Sequence, residues 1–351
     1  MNHYQPHHML VTGGAGFIGS NFIYYVLKNE PSIKIVNLDK LTYAGSLANL
    51  KNIDPAKQYH FYQGDITDTN LVHRILQHHH IDTIVHFAAE SHVDRSITTP
   101  YAFVETNVIG TYVLLEAARR YWFDVEGHSA LTCRFHHIST DEVYGSLNID
   151  AKPFTEQTTY QPHSPYSATK AGSDHLVYAY YHTYGLPITL SHCSNNYGPY
   201  QHEEKFIPTI IRSCLNNQTI PIYGNGKNIR DWLYVDDHCQ GILAIIKHGK
   251  IGEQYNMGGN NEWENIALAK YICEQLDKIK LDHPRGINFI SSKKSHQSLI
   301  TFVNDRPGHD FRYAIDSSKI KAALDWNPQI SMETGIKKTI EQKLISYSEV
   351  E

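Results

Sequence analysis

The chain has 351 residues, 41% of them hydrophobic and 19% charged, which suffices for one large α/β unit or two lobes sharing a core. Lys and Arg number 31 against 36 Asp and Glu, giving a formal net charge of -5, so no global basic surface is available for a nucleic-acid backbone and an anionic ligand must be met locally. The five cysteines, Cys133, Cys193, Cys214, Cys239 and Cys273, form no C-x-x-C pair, and no apolar run approaches the roughly 18 residues of a membrane span. The expectation is a cytoplasmic chain with neither nucleic acid nor membrane as partner.

The first residues, Met1 to His8, are polar and His-rich, without the apolar stretch of a secretion signal. His7 and His8, and the run His78 to His80, lack Cys or carboxylate neighbours at ligand spacing, so they read as solvated histidines and no metal site is expected. Short apolar runs at 9–11, 34–38, 83–87 and 134–138 alternate with helix-like stretches at 20–29 and 107–121, the latter carrying Val108, Thr111, Leu115 and Ala118 at helical spacing. This β-α-β-α order predicts a doubly wound parallel sheet of Rossmann type. After about Ser191 the texture turns loop-rich, with helices expected at 206–216 and 265–277. The expected division is therefore a dinucleotide-binding domain over 1–190 plus about 228–258, and a smaller C-terminal substrate-binding lobe over 191–227 and 259–351.

Glycines 13, 16 and 19 follow the first strand and open a helix. Such a trio permits a tight turn, close approach of the backbone to a pyrophosphate and close helix–sheet packing, while the helix N-terminus offers free N–H groups. Asp39 ends the next strand, 20 residues past Gly19, where a carboxylate can accept from ribose hydroxyls and repel a 2′-phosphate. NAD is therefore expected rather than NADP.

Tyr166 and Lys170 lie four apart at the start of a helix-like stretch and so share one face. An ammonium beside a phenol would stabilise phenolate and draw the Tyr166 pKa down toward neutrality, making it a base for an alcohol that loses hydride. With the glycine loop, this pair resembles the short-chain dehydrogenase/reductase superfamily, extended type. Ser139 and Thr140 then resemble the hydroxyls that orient substrate there. Asp141 and Glu142 follow directly, and two adjacent carboxylates at a strand's C-terminal end are costly to bury without a task. Eliminating water needs one acid and one base, whereas a simple dehydrogenase or epimerase needs neither.

The Thr140–Asp141–Glu142 triplet resembles the signature of the dTDP-glucose 4,6-dehydratase family. The resemblance runs along nearly the whole chain, through Asn37 to Gly45, Phe87 to Ser96, Ser194 to Pro199, Ile229 to Val235 and Asp305 to Asp310. It implies that Phe17, Ile18, Lys40, Thr42, Asp65, Ile66, Ala88, Ala89, Thr106 and Asn196 join Gly13, Gly16, Gly19, Asp39, Tyr166 and Lys170 around NAD. It also implies a sugar-nucleotide site of Ser91, Thr140, Asn195, Glu204, Lys205, Tyr223, Arg230, Asn265, Asp305 and His309. Arg230 is the favourite for the diphosphate because its planar fork matches phosphate oxygens. The residues before Met9 are extra, and Phe311 stands where family members often carry a second Arg.

The implied chemistry begins with Tyr166, helped by Thr140 and Lys170, taking the 4-hydroxyl proton while the C4 hydride passes to NAD. Glu142 then removes the C5 proton, Asp141 protonates the departing 6-hydroxyl, and the hydride returns to C6. Because NAD is regenerated each turnover, it should stay bound. The resemblance further implies a homodimer. An extended-type epimerase or decarboxylase is the alternative enzyme, which Asp141 argues against, and a non-catalytic NAD-sensing protein is the alternative class, which would be expected to lose Tyr166 or Lys170.

Overall fold

The computed structural model describes residues 4–54, 57–282 and 295–348. Seven strands form one all-parallel sheet: β1 (His8–Thr12), β2 (Lys34–Asp39), β3 (Tyr59–Gln63), β4 (Thr83–His86), β5 (Arg134–Thr140), β6 (Ile188–Cys193) and, later in the chain, a strand at Gln254–Met257. The order runs from Gln254–Met257 through β6, β5, β4, β1 and β2 to β3, so the direction of strand addition reverses between β1 and β4. In doubly wound sheets ligands bind outside the carboxyl ends of the strands at that reversal. β1, β2, β4 and β5 are almost continuously buried because helices cover both faces.

Helices at Thr69–His78, Thr111–Arg119 and Pro165–Tyr184 bury Val72, Leu114 and Val177 against one face. Those at Phe17–Asn29 and Val235–His248 bury Phe22, Ile23 and Ile242 against the other. The expected helix at 107–121 is longer than its pattern suggests: wide π-type turns at Val104–Gly110 and Arg120–Val125 flank the α-helical part. Within the first of them, buried Asn107 binds the backbone of Glu90 on both sides (2.9 and 3.1 Å) and reaches Thr169 Oγ1 at 3.0 Å. The helix Pro165–Tyr184 is fixed at both ends. Ser164 and Ser167 form a capping box, Pro165 takes the first turn, and Gly185 ends it at φ 71°.

Smaller sheets lie beyond β6. β7 (Asn195–Tyr197) pairs with β9 (Ile229–Tyr234), which also pairs with Glu262–Glu264, while β8 (Ile220–Tyr223) pairs with Ile300–Val303. Helices at Phe206–Leu215, Asn265–Asp282 and Met332–Ser348 pack there around Ile211, Leu268 and Ile336.

Of the expected N-terminal extension, residues 1–3 lie outside the described residues, as do 283–294 and 349–351 of the expected C-terminal lobe. Tyr4 is buried, its hydroxyl 2.8 Å from Thr83 Oγ1, and the backbone N–H of His7 donates to Asp82 Oδ2 at 3.0 Å. The segment before β1 is thus stitched to the edge of β4. His78 and His80 are exposed and His79 is half-buried, its Nε2 2.8 Å from the Tyr62 hydroxyl.

Candidate active site

The carboxyl ends of β1, β2, β4, β5 and β6 open into one cavity. Its floor is the turn after β1. Gly13 sits at φ 71°, and a Cβ there would lie 2.6 Å from the Ala88 backbone nitrogen; at Gly19 a Cβ would lie 2.4 Å from the Gly13 carbonyl oxygen. Neither clash can be relieved by moving a side chain, so the loop is closed to any larger residue. The helix Phe17–Asn29 begins here without a side-chain cap, leaving N-terminal N–H groups to face the cavity.

Asp39 ends β2 beside this loop. It accepts from the Ala15 N–H at 2.9 Å and the Leu41 N–H at 2.8 Å, and burial raises its pKa despite those two donors. Lys40 pairs with Asp65 at 2.6 Å; burial works against the Asp65 charge, but Lys40 and the Thr67 N–H outweigh it and hold the carboxyl below the usual range. Phe17, Ile18, Gly16, Thr42, Ile66, Ala88, Ala89, Thr106 and Asn196 complete this half of the wall, so every residue expected around a dinucleotide lines one cavity. Asn196 is held by His238, whose Nδ1 lies 2.8 Å from its Oδ1.

The opposite half carries Thr140, Asp141, Glu142, Tyr166 and Lys170. Thr140 caps the short turn Asp141–Tyr144 by accepting from the Glu142 N–H at 3.3 Å. Asp141 is 2% exposed and its Oδ2 has no hydrogen-bond partner among the described residues. Burial, then the neighbouring charges of Glu142 and Asp231, push its pKa well above the ordinary value, which favours the protonated form. Glu142 is raised too, by burial, but Arg306, Arg230 and Lys205 oppose that rise. The two adjacent carboxyls therefore differ in their charged surroundings.

One expectation is corrected. The Tyr166 phenol does not lie near neutrality in this arrangement: burial, followed by the Glu142 charge, outweighs any help from Lys170 and pushes that phenol well above its ordinary value. The Lys170 ammonium instead donates to the Ile138 carbonyl at 2.7 Å, and burial lowers its own pKa.

Among the expected sugar-nucleotide residues, Ser91, Thr140, Asn195 and Lys205 line the cavity, with Lys205 Nζ donating to the Ser91 carbonyl at 3.0 Å. Six others do not line it. Glu204 pairs with His92 at 3.5 Å and Arg95 at 3.7 Å, Tyr223 donates to Asp94 at 3.3 Å, and His309 pairs with Asp305 at 2.6 Å. Asn265 opens its helix with its N–H on the Asn228 carbonyl at 2.9 Å. Arg230, the favourite for a diphosphate, donates to the carbonyls of Ile229 (2.7 Å), Asp310 (2.9 Å) and Phe311 (3.3 Å) and lies 4.3 Å over the Tyr313 ring. Its fork is spent on backbone carbonyls that also accept from the Tyr313 N–H, the Asn228 side-chain amide and the Ile229 N–H. Phe311 is exposed, its N–H donating to Ser146 at 2.9 Å.

Residues 10–339 match the family model described as GDP-mannose 4,6 dehydratase. The dTDP-glucose 4,6-dehydratase of Shigella flexneri is 51% identical, over 98% of this chain and 94% of that one. The chain belongs to the dTDP-glucose 4,6-dehydratase family. Two solved members share its fold along almost their full length: the Streptomyces venezuelae enzyme with NAD bound (42% identity, 97% of this chain and 98% of that one, TM-score 0.86) and the Bacillus anthracis enzyme in complex with NAD (40%, 97% of each, TM-score 0.83).

Sequence reasoning missed several wall residues of this family member, among them Ala44, Gly45, Glu90, Gln201 and His202. It also missed Arg306, the first cation acting on Glu142, which donates to Asp94 at 3.3 Å and whose buried Nε has no partner among the described residues. The signal was available, since Arg306 stands inside the Asp305–Asp310 motif.

Proposed function

We propose that this chain converts dTDP-glucose to dTDP-4-dehydro-6-deoxy-glucose by oxidation at C4, loss of water across C5 and C6, and reduction at C6, with NAD retained throughout. The observation that carries the reading is the Asp141–Glu142 pair: adjacent carboxyls with different surroundings, on the same cavity wall as Tyr166 and Lys170.

The cavity suits a dinucleotide because its glycine cradle admits no Cβ at Gly13 or Gly19 and a two-oxygen acceptor, Asp39, stands beside it. The loop of Gly13, Gly16 and Gly19 would hold the pyrophosphate, Asp39 the ribose, and Asp65, Ile66, Ala88, Ala89, Thr106 and Asn196 the remainder. When bound, NAD supplies the hydride acceptor and, later, donor. Tyr166 takes the 4-hydroxyl proton, with Thr140 orienting that hydroxyl and the Lys170 charge favouring phenolate. Once C4 is a ketone the C5 proton is acidic, and Glu142 removes it. Asp141, which burial keeps protonated, delivers its proton to the departing 6-hydroxyl. Ser91, Asn195 and Lys205 would bind sugar and phosphate at the wall, with Glu204, Tyr223, Arg230, Asn265, Asp305 and His309 closing the nucleotide end after Arg230 releases its carbonyls. In this reading 1–190 and about 228–258 hold the cofactor, while 191–227 and 259–351 hold the sugar nucleotide.

The working unit is a homodimer. Ile97, Tyr101, Val104, Ile109 and Tyr112 form an exposed apolar strip on the helical segment 93–119, with Tyr101 73% exposed, and a second copy would cover it. The five cysteines are free and buried, which suits the cytoplasm.

Mass spectrometry of the product made from dTDP-glucose in deuterated water tests the reaction. The expected product has lost one water and gained one carbon-bound deuteron at C5. A product of unchanged mass apart from deuterium would point to an epimerase instead.

A further inference from the structure

The helix Pro165–Tyr184 carries a third charged group on the face it turns to the sheet. Tyr166, Lys170 and Asp174 stand at i, i+4 and i+8, one above another on successive turns. Asp174 is fully buried, yet no step of the proposed reaction uses it. Its Oδ2 accepts from Ser139 Oγ at 2.7 Å and lies 3.2 Å from His192 Nε2, while its Oδ1 lies 3.2 Å from His137 Nε2. His137 Nε2 is in turn 3.4 Å from Lys170 Nζ. A carboxylate held by β5, β6 and its own helix at once is a fixed charge.

We propose that Asp174 is a positioning residue: the buried counter-ion that keeps the Lys170 ammonium charged and in place, and through it supports proton removal by Tyr166. The inference rests on the assignment of Tyr166 as base.

Lys170 is 4% exposed, and a buried ammonium without an anion tends to lose its proton. Asp174 is the carboxylate that acts on it first; Cys193, the next group, is a thiol that burial pushes up to about 12. The other groups facing this place do not substitute for Asp174. His86 on β4 and His137 on β5 are kept neutral by burial, and Tyr144, Tyr160 and Tyr178 are phenols pushed up by burial. Along the helix Asp174 lies about 6 Å from Lys170 but about 12 Å from Tyr166. Removing its charge therefore discharges Lys170 more than it relieves Tyr166 directly, and the phenolate becomes harder to form.

The test follows NADH absorbance in the first turnover of full-length holoenzyme with dTDP-glucose across pH. In Asp174→Asn the acid limb of this oxidation should move upward by about one pH unit or more, as loss of a neighbouring charge predicts. A limb that stays put or moves down overturns the inference. In a Lys170→Ala background Asp174→Asn should change the oxidation rate less than twofold, because its effect runs through the lysine; equal losses in both backgrounds would mean a merely structural role and would also overturn it. If Asp174→Asn does not fold, His192→Asn removes the 3.2 Å contact with Asp174 Oδ2 and should move the limb upward by less; no movement there counts against Asp174. Oxidation of dTDP-glucose by the parent protein is the separate control, since its failure sinks the assigned reaction rather than this inference.

Discussion

Asp141 and Glu142 are consecutive in the chain but differ in their charged neighbours: beyond burial, Glu142 and Asp231 act first on Asp141, with Arg230 opposing them, whereas Arg306, Arg230 and Lys205 act first on Glu142. Both stand on the short turn after β5, at the wall of one cavity. In the proposed reaction Asp141 would act as proton donor and Glu142 as acceptor.

A protonated buried acid also carries a stability cost. The folded-state pKa of Asp141 is raised above its unfolded value of about 3.9, so folding is penalised as pH rises through the unfolded value, and the penalty levels off only above the folded one. Asp141→Asn, which keeps shape without the ionisation, should therefore raise Tm at neutral pH and raise it less near pH 4. Thermal melts of both proteins between pH 4 and 8 check this; a lower Tm for the variant at neutral pH would mean that the carboxyl is not held protonated.

Cofactor choice turns on Asp39. Its two oxygens already accept from Ala15 and Leu41 and stand beside the glycine loop. Asp39→Arg should weaken NAD binding and improve NADP binding, read by titration of stripped protein with each dinucleotide. Unchanged NAD affinity would leave Asp39 with only its loop-bracing role.

Purified protein should carry NAD(H) that none has been added to supply, because the internal redox cycle gains nothing from releasing it. Gly19→Ala should lose it, since the added Cβ would meet the Gly13 carbonyl oxygen at 2.4 Å and force the cradle open. Nucleotide released by denaturation and measured by absorbance checks both statements. Retention in Gly19→Ala equal to the parent would show that the loop does not hold the pyrophosphate.

The parts of this site that were legible in the sequence are those written within a few residues. Gly13 to Gly19, Tyr166 with Lys170, and Thr140 to Glu142 each encode their geometry through a single turn or helix face, and all reach one cavity. What escaped depends on distant segments. β3 was overlooked because Tyr59 to Gln63, an edge strand, mixes polar and aromatic residues and lacks the apolar run of its buried neighbours. The Arg230 fork was matched to phosphate on shape, but carbonyls of 310 and 311, far along the chain, engage it. The Tyr166 phenol was expected low from its lysine alone; the burial and the Glu142 charge that raise it are tertiary facts.

The division of labour between the carboxyl pair and the tyrosine is most directly tested by single-turnover absorbance and mass spectrometry with dTDP-glucose. Asp141→Asn and Glu142→Gln should still oxidise C4, accumulating NADH and a 4-keto sugar that retains its 6-hydroxyl, with dehydration slowed by about 10²–10⁴-fold, the usual cost of removing one positioned acid or base. Tyr166→Phe should accumulate neither. Dehydration by Asp141→Asn at the parent rate would contradict the account, since the buried proton of Asp141 would then have no part in expelling water.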